Sequence, residues 1–123
     1  MHEDLSNKLR TAFNARDIDA VRSLIAEDAT WGEDPGSELA CYSRNDIIRR
    51  LKQLLDSGVQ ATILETATGP RGIAARLGVD WPKSADGEPN HRVYSQVYVV
   101  ADGLVTEIHG VDDFDSARAA LSD

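Results

Sequence analysis

Residues 91–111, with the sequence HRVYSQVYVVADGLVTEIHGV, decide the fold class. Both halves of this segment are rich in Val, Ile, Thr and Tyr, which favour extended backbone. Between them, Ala101-Asp102-Gly103 supplies turn residues and a glycine that can adopt positive φ. The pattern predicts a β-hairpin with one strand over His91–Ala101 and the other over Leu104–Val111.

Two segments with a similar strand-forming composition precede the hairpin and extend it into a sheet. They cover Val59–Thr68 and Gly72–Trp81, and the tight connection Gly69-Pro70-Arg71 joins them. A longer polar loop, Pro82–Pro89, leads from the second of them to the hairpin. Four consecutive strands separated by turn residues predict an antiparallel meander.

The first half of the chain has the periodicity of helices. Apolar residues recur at helical spacing over Leu5–Phe13, which predicts an amphipathic helix. Asp17 is a good N-cap for a second short helix, whose apolar stripe extends to Ile25. Ser43 begins a sequence that resembles a capping box and predicts a third helix, which ends at Gly58.

A short strand, Ala29–Trp31, and a closing helix over Ser116–Leu121, capped by Asp113 or Asp115, complete the predicted elements. An order of elements in which helices come first and a run of strands follows is typical of the α+β class. We therefore expect one domain over residues 1–123, in which helices pack on one face of a curved antiparallel sheet to form a cone.

Composition and charge exclude several classes of protein. The 123 residues are 41% hydrophobic and 28% charged, as in ordinary globular domains, and the net charge is −8. A negative field of this size repels phosphate backbones and anionic lipids, so nucleic acid and membranes are not expected partners. The polar, acidic start lacks the pattern of a signal peptide, and the single cysteine, Cys41, cannot form an intrachain disulfide. These features favour a cytoplasmic location.

Several segments of the chain resemble a known superfamily in order and composition. They are Leu9–Val21, Glu27–Trp31, Val99–Ile108 and Asp113–Leu121. Together they resemble the nuclear transport factor two-like superfamily and, within it, the SnoaL-like and ketosteroid isomerase-like branch. The resemblance implies a cystatin-like, cone-shaped α+β barrel with an apolar pocket for a small ligand at its open end, and a homodimer. Isomerases, cyclases, dehydratases, hydrolases and non-catalytic binding subunits share this fold, so the fold does not select an activity.

One stretch, Glu33–Glu38, is similar to the part of the steroid isomerases where an aspartate before a proline is the proton-shuttling base. The resemblance gives this role to Asp34, and desolvation beside an apolar cavity would make a carboxylate a better base for a carbon acid. Steroid isomerases also use a tyrosine and a protonated acid as donors, where this chain has Leu9 and Gln96. Leucine donates nothing and an amide is a weaker donor. Asp before Pro-Gly is also common turn chemistry, and this alternative for Asp34 stays open.

The last strand offers a second carboxylate. The family's register implies that Thr106, Ile108, Gly110 and Asp112 face the pocket, with Asp112 at its mouth. A second carboxylate near Asp34 would separate the two pKa values and permit acid and base roles. Two alternatives stay open: Asp112 faces water at the start of the final turn, or a register slip of one residue brings His109 inward as a base.

Aromatic and amide side chains are candidates for the pocket lining. Trp31, Tyr94, Tyr98 and Trp81 can form a flat, apolar wall, on which tyrosine hydroxyls and the Gln96 amide orient a ligand. Packing in the core or at a dimer interface is the alternative for at least two of the aromatic residues.

Both faces of the strand that begins at His91 are apolar or aromatic. Val93, Val97 and Val99 alternate with Tyr94, Tyr98 and Val100. A strand buried on one face alternates between apolar and polar residues, so the second face is expected to meet another surface. A second copy of the chain is the simplest candidate, which predicts a homodimer.

The residue pattern indicates neither a metal site nor a nucleotide cofactor. The three histidines lack ligand spacing, and Gly69-Pro70-Arg71-Gly72 joins two strands where a phosphate loop opens a helix. Three hypotheses remain: a cofactor-free acid–base enzyme such as an isomerase, cyclase or lyase acting on an apolar cyclic substrate, a binding protein that uses the same pocket, and a dimeric interaction module.

Overall fold

The structure, a computed structural model, describes residues 2–32, 43–81 and 90–122. The elements follow one another as α1 (Glu3–Asn14), α2 (Ile18–Ser23), β1 (Ile25–Trp31), α3 (Arg44–Asp56), β2 (Gln60–Gly69), β3 (Gly72–Trp81), β4 (Asn90–Ala101), β5 (Leu104–Val111) and α4 (Phe114–Ala119). Within the described residues, five strands form one curved, unclosed sheet in the order β1-β5-β4-β3-β2. The predicted α+β class is confirmed.

The antiparallel meander is present as predicted. β2 pairs with β3, β3 with β4, and β4 with β5, all antiparallel. β1 joins the far edge, where it runs parallel to β5 and places Trp31 beside Ile108. Each of these two residues is at least half-buried, and this pairing brings the end of β1 to the same end of the sheet as the end of β5.

The prediction that the second helix extends to Ile25 is wrong. α2 ends at Ser23, and Ile25 begins β1, where it pairs with Val105. The N–H of Val105 donates to the carbonyl oxygen of Leu24 at 2.9 Å. Leu24 and Ile25 satisfy the helical period and also suit a strand, so the pairing partner, which is distant in sequence, decides between them.

Polar side chains end and fasten the helices. Asp17 and Ser43 are the N-caps of α2 and α3, as predicted. Of the two candidates for the closing helix, Asp113 is the cap, because its carboxylate accepts the Ser116 N–H at 2.7 Å. At the end of α1, Asn14 makes two hydrogen bonds with the backbone of Ile63 and so fastens the helix to β2, an edge strand.

The concave face of the sheet packs against α1, α2 and α3 to form the main core. The convex face carries a smaller cluster, in which Ala117 and Leu121 cover Ala74 and Val97. α4 therefore covers part of the second apolar face of β4, which was the basis for expecting a second chain. The same face is open further along, where the exposed fraction of Val93 is 54%.

Candidate functional site

A cavity of about 700 Å³ lies between the helices and the concave face of the sheet. Its walls are mainly apolar: Leu9 and Phe13 come from α1, Leu51 and Leu54 from α3, and Ile108 from β5. The concave strands supply the opposite wall because alternate residues of a strand share one face. The lining is mainly apolar and includes a few polar groups.

The polar groups of the lining gather toward one end of the cavity. The described side chains of this kind are Arg50, Tyr94, Ser95, Gln96, Tyr98 and Asp112. β4 begins near this end, and β1 and β5 finish there, because Ser95 pairs with Val111 and Trp31 with Ile108. Three strand ends thus bring together side chains that are distant in sequence.

Gln96 and Tyr98 form a polar pair in the cavity wall. The Tyr98 hydroxyl donates to Oε1 of Gln96 at 2.7 Å. Burial raises the pKa of the Tyr98 phenol above its ordinary value, so the hydroxyl stays protonated and remains a donor. Since Oε1 is held, the Nε2 amide of Gln96 is the end of the side chain that can donate to a ligand, and it has no hydrogen-bond partner among the described residues.

Trp31 and Arg50 form a second pair at the wall. The guanidinium carbon of Arg50 lies 4.4 Å from the centroid of the Trp31 ring, which is a cation–π contact. Both residues are half-buried and line the cavity. The contact places a positive charge on the wall of the cavity.

The register of β5 turns Asp112 to the cavity. Ile108, Gly110 and Asp112 line it, and Asp112 is exposed at the mouth. His109 lies on the convex face with its Nε2 atom 3.8 Å from Glu107, so the register slip that would bring it inward does not occur. The expectation for Thr106 is wrong: a bulge between Val99 and Val100 shifts the pairing, and Val105 lines the cavity in its place.

The structure places most of the candidate residues of the sequence on one cavity. Trp31, Tyr94, Gln96, Ile108 and Asp112 all line it. Asp34 and the side chain of Trp81 lie outside the described residues.

The positions that match the donors of the steroid isomerases also lie on the wall, as Leu9 and Gln96. In the described part of the chain, no group of three or more His, Cys, Asp or Glu side chains is arranged to hold a metal ion. No described helix is long and apolar enough to cross a membrane.

A family model described as the SnoaL-like domain matches residues 7–108. The chain belongs to the SnoaL-like domain family. The match runs from α1 almost to the end of β5 and so includes the cavity walls contributed by these elements. No curated protein matches the sequence significantly.

Solved structures share the SnoaL-like architecture. A candidate polyketide cyclase from Sinorhizobium meliloti is 23% identical, with a TM-score of 0.64 over 88% of this chain and 94% of that one. TerC, co-crystallised with polyporic acid, is 16% identical, with a TM-score of 0.69 over 96% and 95%. A cystatin-fold protein from Novosphingobium aromaticivorans is 17% identical, with a TM-score of 0.70 over 89% and 96%. At these identities the likeness shows the fold alone.

Sequence reasoning missed Arg50 as a residue of the site in this SnoaL-like domain. The signal was present in α3, because Arg50 falls at i+3 from Ile47 and one residue before Leu51, within the apolar stripe. A charged residue inside such a stripe faces the same side as its apolar neighbours. Its contact with Trp31, in contrast, is visible only in the folded chain.

Proposed function

We propose that this protein binds a small, apolar, cyclic molecule in its cavity and performs cofactor-free acid–base chemistry on it. The cavity carries the proposal: its volume of about 700 Å³ falls in the range of ligand pockets, about 300–1,000 Å³. A dimeric interaction module whose cone is filled by its own side chains would lack such a space. The candidate polyketide cyclases among the similar structures favour a cyclic ketone as substrate class.

Two carboxylates supply the chemistry. Asp112 at the mouth is one, and Asp34, proposed from its resemblance to the steroid isomerase base, is the other. One group, as a carboxylate, removes a proton from a carbon next to a carbonyl group. The other, as a carboxylic acid, donates a proton to the atom that is protonated in the product. Gln96, through its Nε2 amide, and Tyr94 donate to the carbonyl oxygen on which charge develops.

A thermal-shift screen tests the proposal. Wild type, Asp34→Asn and Asp112→Asn are screened against flat ketones, aromatic polyketide-like compounds, terpenoids and steroids, because a ligand that binds the folded state raises the melting temperature. Asp102→Asn is the matched control, since Asp102 lies in the exposed β4–β5 turn with φ 54°, a backbone conformation that asparagine also adopts.

The outcomes distinguish an enzyme, a non-catalytic binder and a cavity that binds no ligand. If wild type and Asp102→Asn convert a stabilising compound and Asp112→Asn does not, the result supports an enzyme. Stabilisation without turnover, equal in all variants, makes the protein a non-catalytic binder. If no compound class stabilises wild type or any variant, the proposal that the cavity binds a ligand is wrong.

We further propose that a second copy of the chain covers the open part of the convex face. Leu64 and Val93 are 43% and 54% exposed there, on either side of Gly78 in β3. The Leu64 and His91 side chains lie over Gly78, where an added Cβ would meet them at 3.2 and 3.3 Å, so a partner would contact these side chains and the exposed Val93. Val93→Lys should convert a dimer into a monomer in analytical ultracentrifugation, whereas Lys52→Ala on the outer side of α3 should not. A monomeric wild type at micromolar concentration would refute this.

A further inference from the structure

Gln96 lies on the cavity wall between two very small neighbours. In the sheet register it is opposite Ala75 of β3 on one side and Gly110 of β5 on the other. Residues that are opposite one another on adjacent strands share a face of the sheet, so neither neighbour brings a polar side chain beside the amide. Among the described residues that line the cavity, Tyr98 is the one whose side chain forms a hydrogen bond with this amide.

The Tyr98 hydroxyl determines which end of the Gln96 amide it meets. Tyr98 is 6% exposed, and in the described part of the chain Oε1 of Gln96, at 2.7 Å, is the one acceptor of its hydroxyl hydrogen. If the amide turned by 180°, an N–H of Nε2 would face the hydroxyl, and the hydroxyl hydrogen would lose its acceptor. A buried donor without an acceptor disfavours that orientation by roughly 5-fold or more.

This bond gives one point of the cavity wall a fixed polarity. The last torsion of a free glutamine side chain has two nearly equivalent settings, which exchange the oxygen and the nitrogen. With Oε1 held by Tyr98, the N–H groups of Nε2 are the ones that remain for a molecule in the cavity. The wall therefore offers a hydrogen-bond donor at Gln96.

We propose that Tyr98 is a positioning residue that sets the ligand specificity of the cavity: by holding the oxygen end of the Gln96 amide, it favours a ligand with a carbonyl-type acceptor over one that offers only a donor at this point. This inference rests on the proposed function, because it uses the same cavity, and it adds a residue that acts on the ligand through another residue.

Three flat compounds with one three-ring skeleton test it. At the same position 9-fluorenone has a carbonyl group, carbazole has an N–H group and fluorene has a methylene group. Equilibrium dialysis measures the binding of each compound, and competition between them verifies that they share one site. The variants are Tyr98→Phe, Gln96→Met and, as the matched control, Thr106→Val, which removes a hydroxyl that donates to Val99 at 3.2 Å outside the described cavity lining.

The expected result is that Tyr98→Phe changes the binding of two compounds in opposite directions. It weakens fluorenone by roughly 2-fold, because the freed amide offers its N–H groups only part of the time, and strengthens carbazole by roughly 3-fold, because the amide oxygen becomes available. Fluorene is unchanged. Gln96→Met weakens fluorenone by roughly 2- to 10-fold and does not strengthen carbazole, whereas Thr106→Val changes none of the three. Thermal unfolding verifies that each variant is folded.

A second measurement needs wild type alone. The infrared carbonyl band of bound fluorenone should be a single band at lower frequency than in hexane, because a hydrogen bond from one fixed donor weakens the C=O bond. Two bands, or a band at the hexane frequency, would show that the amide does not hold one orientation toward the ligand and would overturn the inference.

Failure of this inference differs from failure of the proposed function. If the compounds bind and Tyr98→Phe weakens fluorenone and carbazole equally, or changes neither, Tyr98 only packs in the wall: the positioning role is overturned and the ligand cavity stands. If wild type binds none of the three compounds, the ligand cavity of the proposed function is wrong, and the positioning role fails with it.

Discussion

The hydrogen bond from Tyr98 to Gln96 should contribute to stability in a way that depends on which partner is removed. Tyr98 is 6% exposed, whereas Gln96 lies on the cavity wall and is half-buried. Gln96→Met leaves a buried hydroxyl without its acceptor, which costs about 1–3 kcal/mol. Tyr98→Phe leaves the Gln96 oxygen beside the cavity, where water can replace the hydroxyl, and we expect a smaller loss of about 0.5–1.5 kcal/mol.

The double variant separates the hydrogen bond from the packing changes. Replacing both partners leaves no unsatisfied group, so the loss of free energy of unfolding should be smaller than the sum of the two single losses by about 0.5–1.5 kcal/mol. Urea denaturation of wild type, both single variants and the double variant measures this coupling. In a domain of this size, 1 kcal/mol corresponds to roughly 4 °C in melting temperature, so thermal scans provide a second readout.

Two results would refute the reasoning about this pair. Additive losses would mean that the 2.7 Å contact contributes nothing specific in solution. A larger loss for Tyr98→Phe than for Gln96→Met would mean that water does not reach Gln96. Ser57→Ala is a suitable control, because its hydroxyl donates to Leu54 at an exposed helix end and has no contact with the pair.

Three further predictions concern the fold. Leu121→Ala should lower the free energy of unfolding by about 2–3 kcal/mol in urea titrations, because it opens the cluster between α4 and the sheet; a loss under about 1 kcal/mol would mean that α4 does not cover β4. Gly72→Ala should lower the free energy of unfolding by more than about 3 kcal/mol, because the new Cβ would lie 2.0 Å from the Tyr98 carbonyl oxygen. Gly103→Ala has open space around the new Cβ and should lower it by only about 1 kcal/mol. The hydrogen bond that Asp113 accepts from the Ser116 N–H lowers the pKa of Asp113, so the stability that this cap contributes is fully present above the ordinary aspartate pKa and disappears as the pH falls through the lowered value. The melting temperatures of wild type and Asp113→Ala should therefore converge in acid and differ at neutral pH.

Local signals in the sequence were enough for most elements, because caps, turns and periodicity act within a few residues. Asp17 and Ser43 begin helices where their side chains satisfy N–H groups that the helix leaves unpaired. The β4–β5 hairpin needed a residue with positive φ, and Asp102-Gly103 supplies two. Ile25 was misjudged because its strand exists only through pairing with Val105, a partner eighty positions away along the chain.

The candidate site was foreseen in part. Strand alternation alone indicated that Ile108 and Asp112 share a face, and the structure places both on the cavity. The bulge that removes Thr106 from the lining could not be predicted from the alternation of residues, because one extra residue does not change the composition of the strand. The face of α3 that contains Arg50 was readable from helical spacing, but the ring over which its guanidinium lies comes from another element.

The sequence by itself determined the fold class, the order of helices and strands, and the alternation of β4, because hydrophobic periodicity and turn chemistry are properties of short segments. Only the tertiary structure decided that α4 covers Val97 on the convex face, that β1 runs parallel to β5, and that Trp31, Arg50, Gln96 and Asp112 line one cavity. Contacts of this kind depend on how distant segments meet when apolar surface is buried. A one-dimensional pattern specifies which surface must be covered, and the packed chain specifies what covers it.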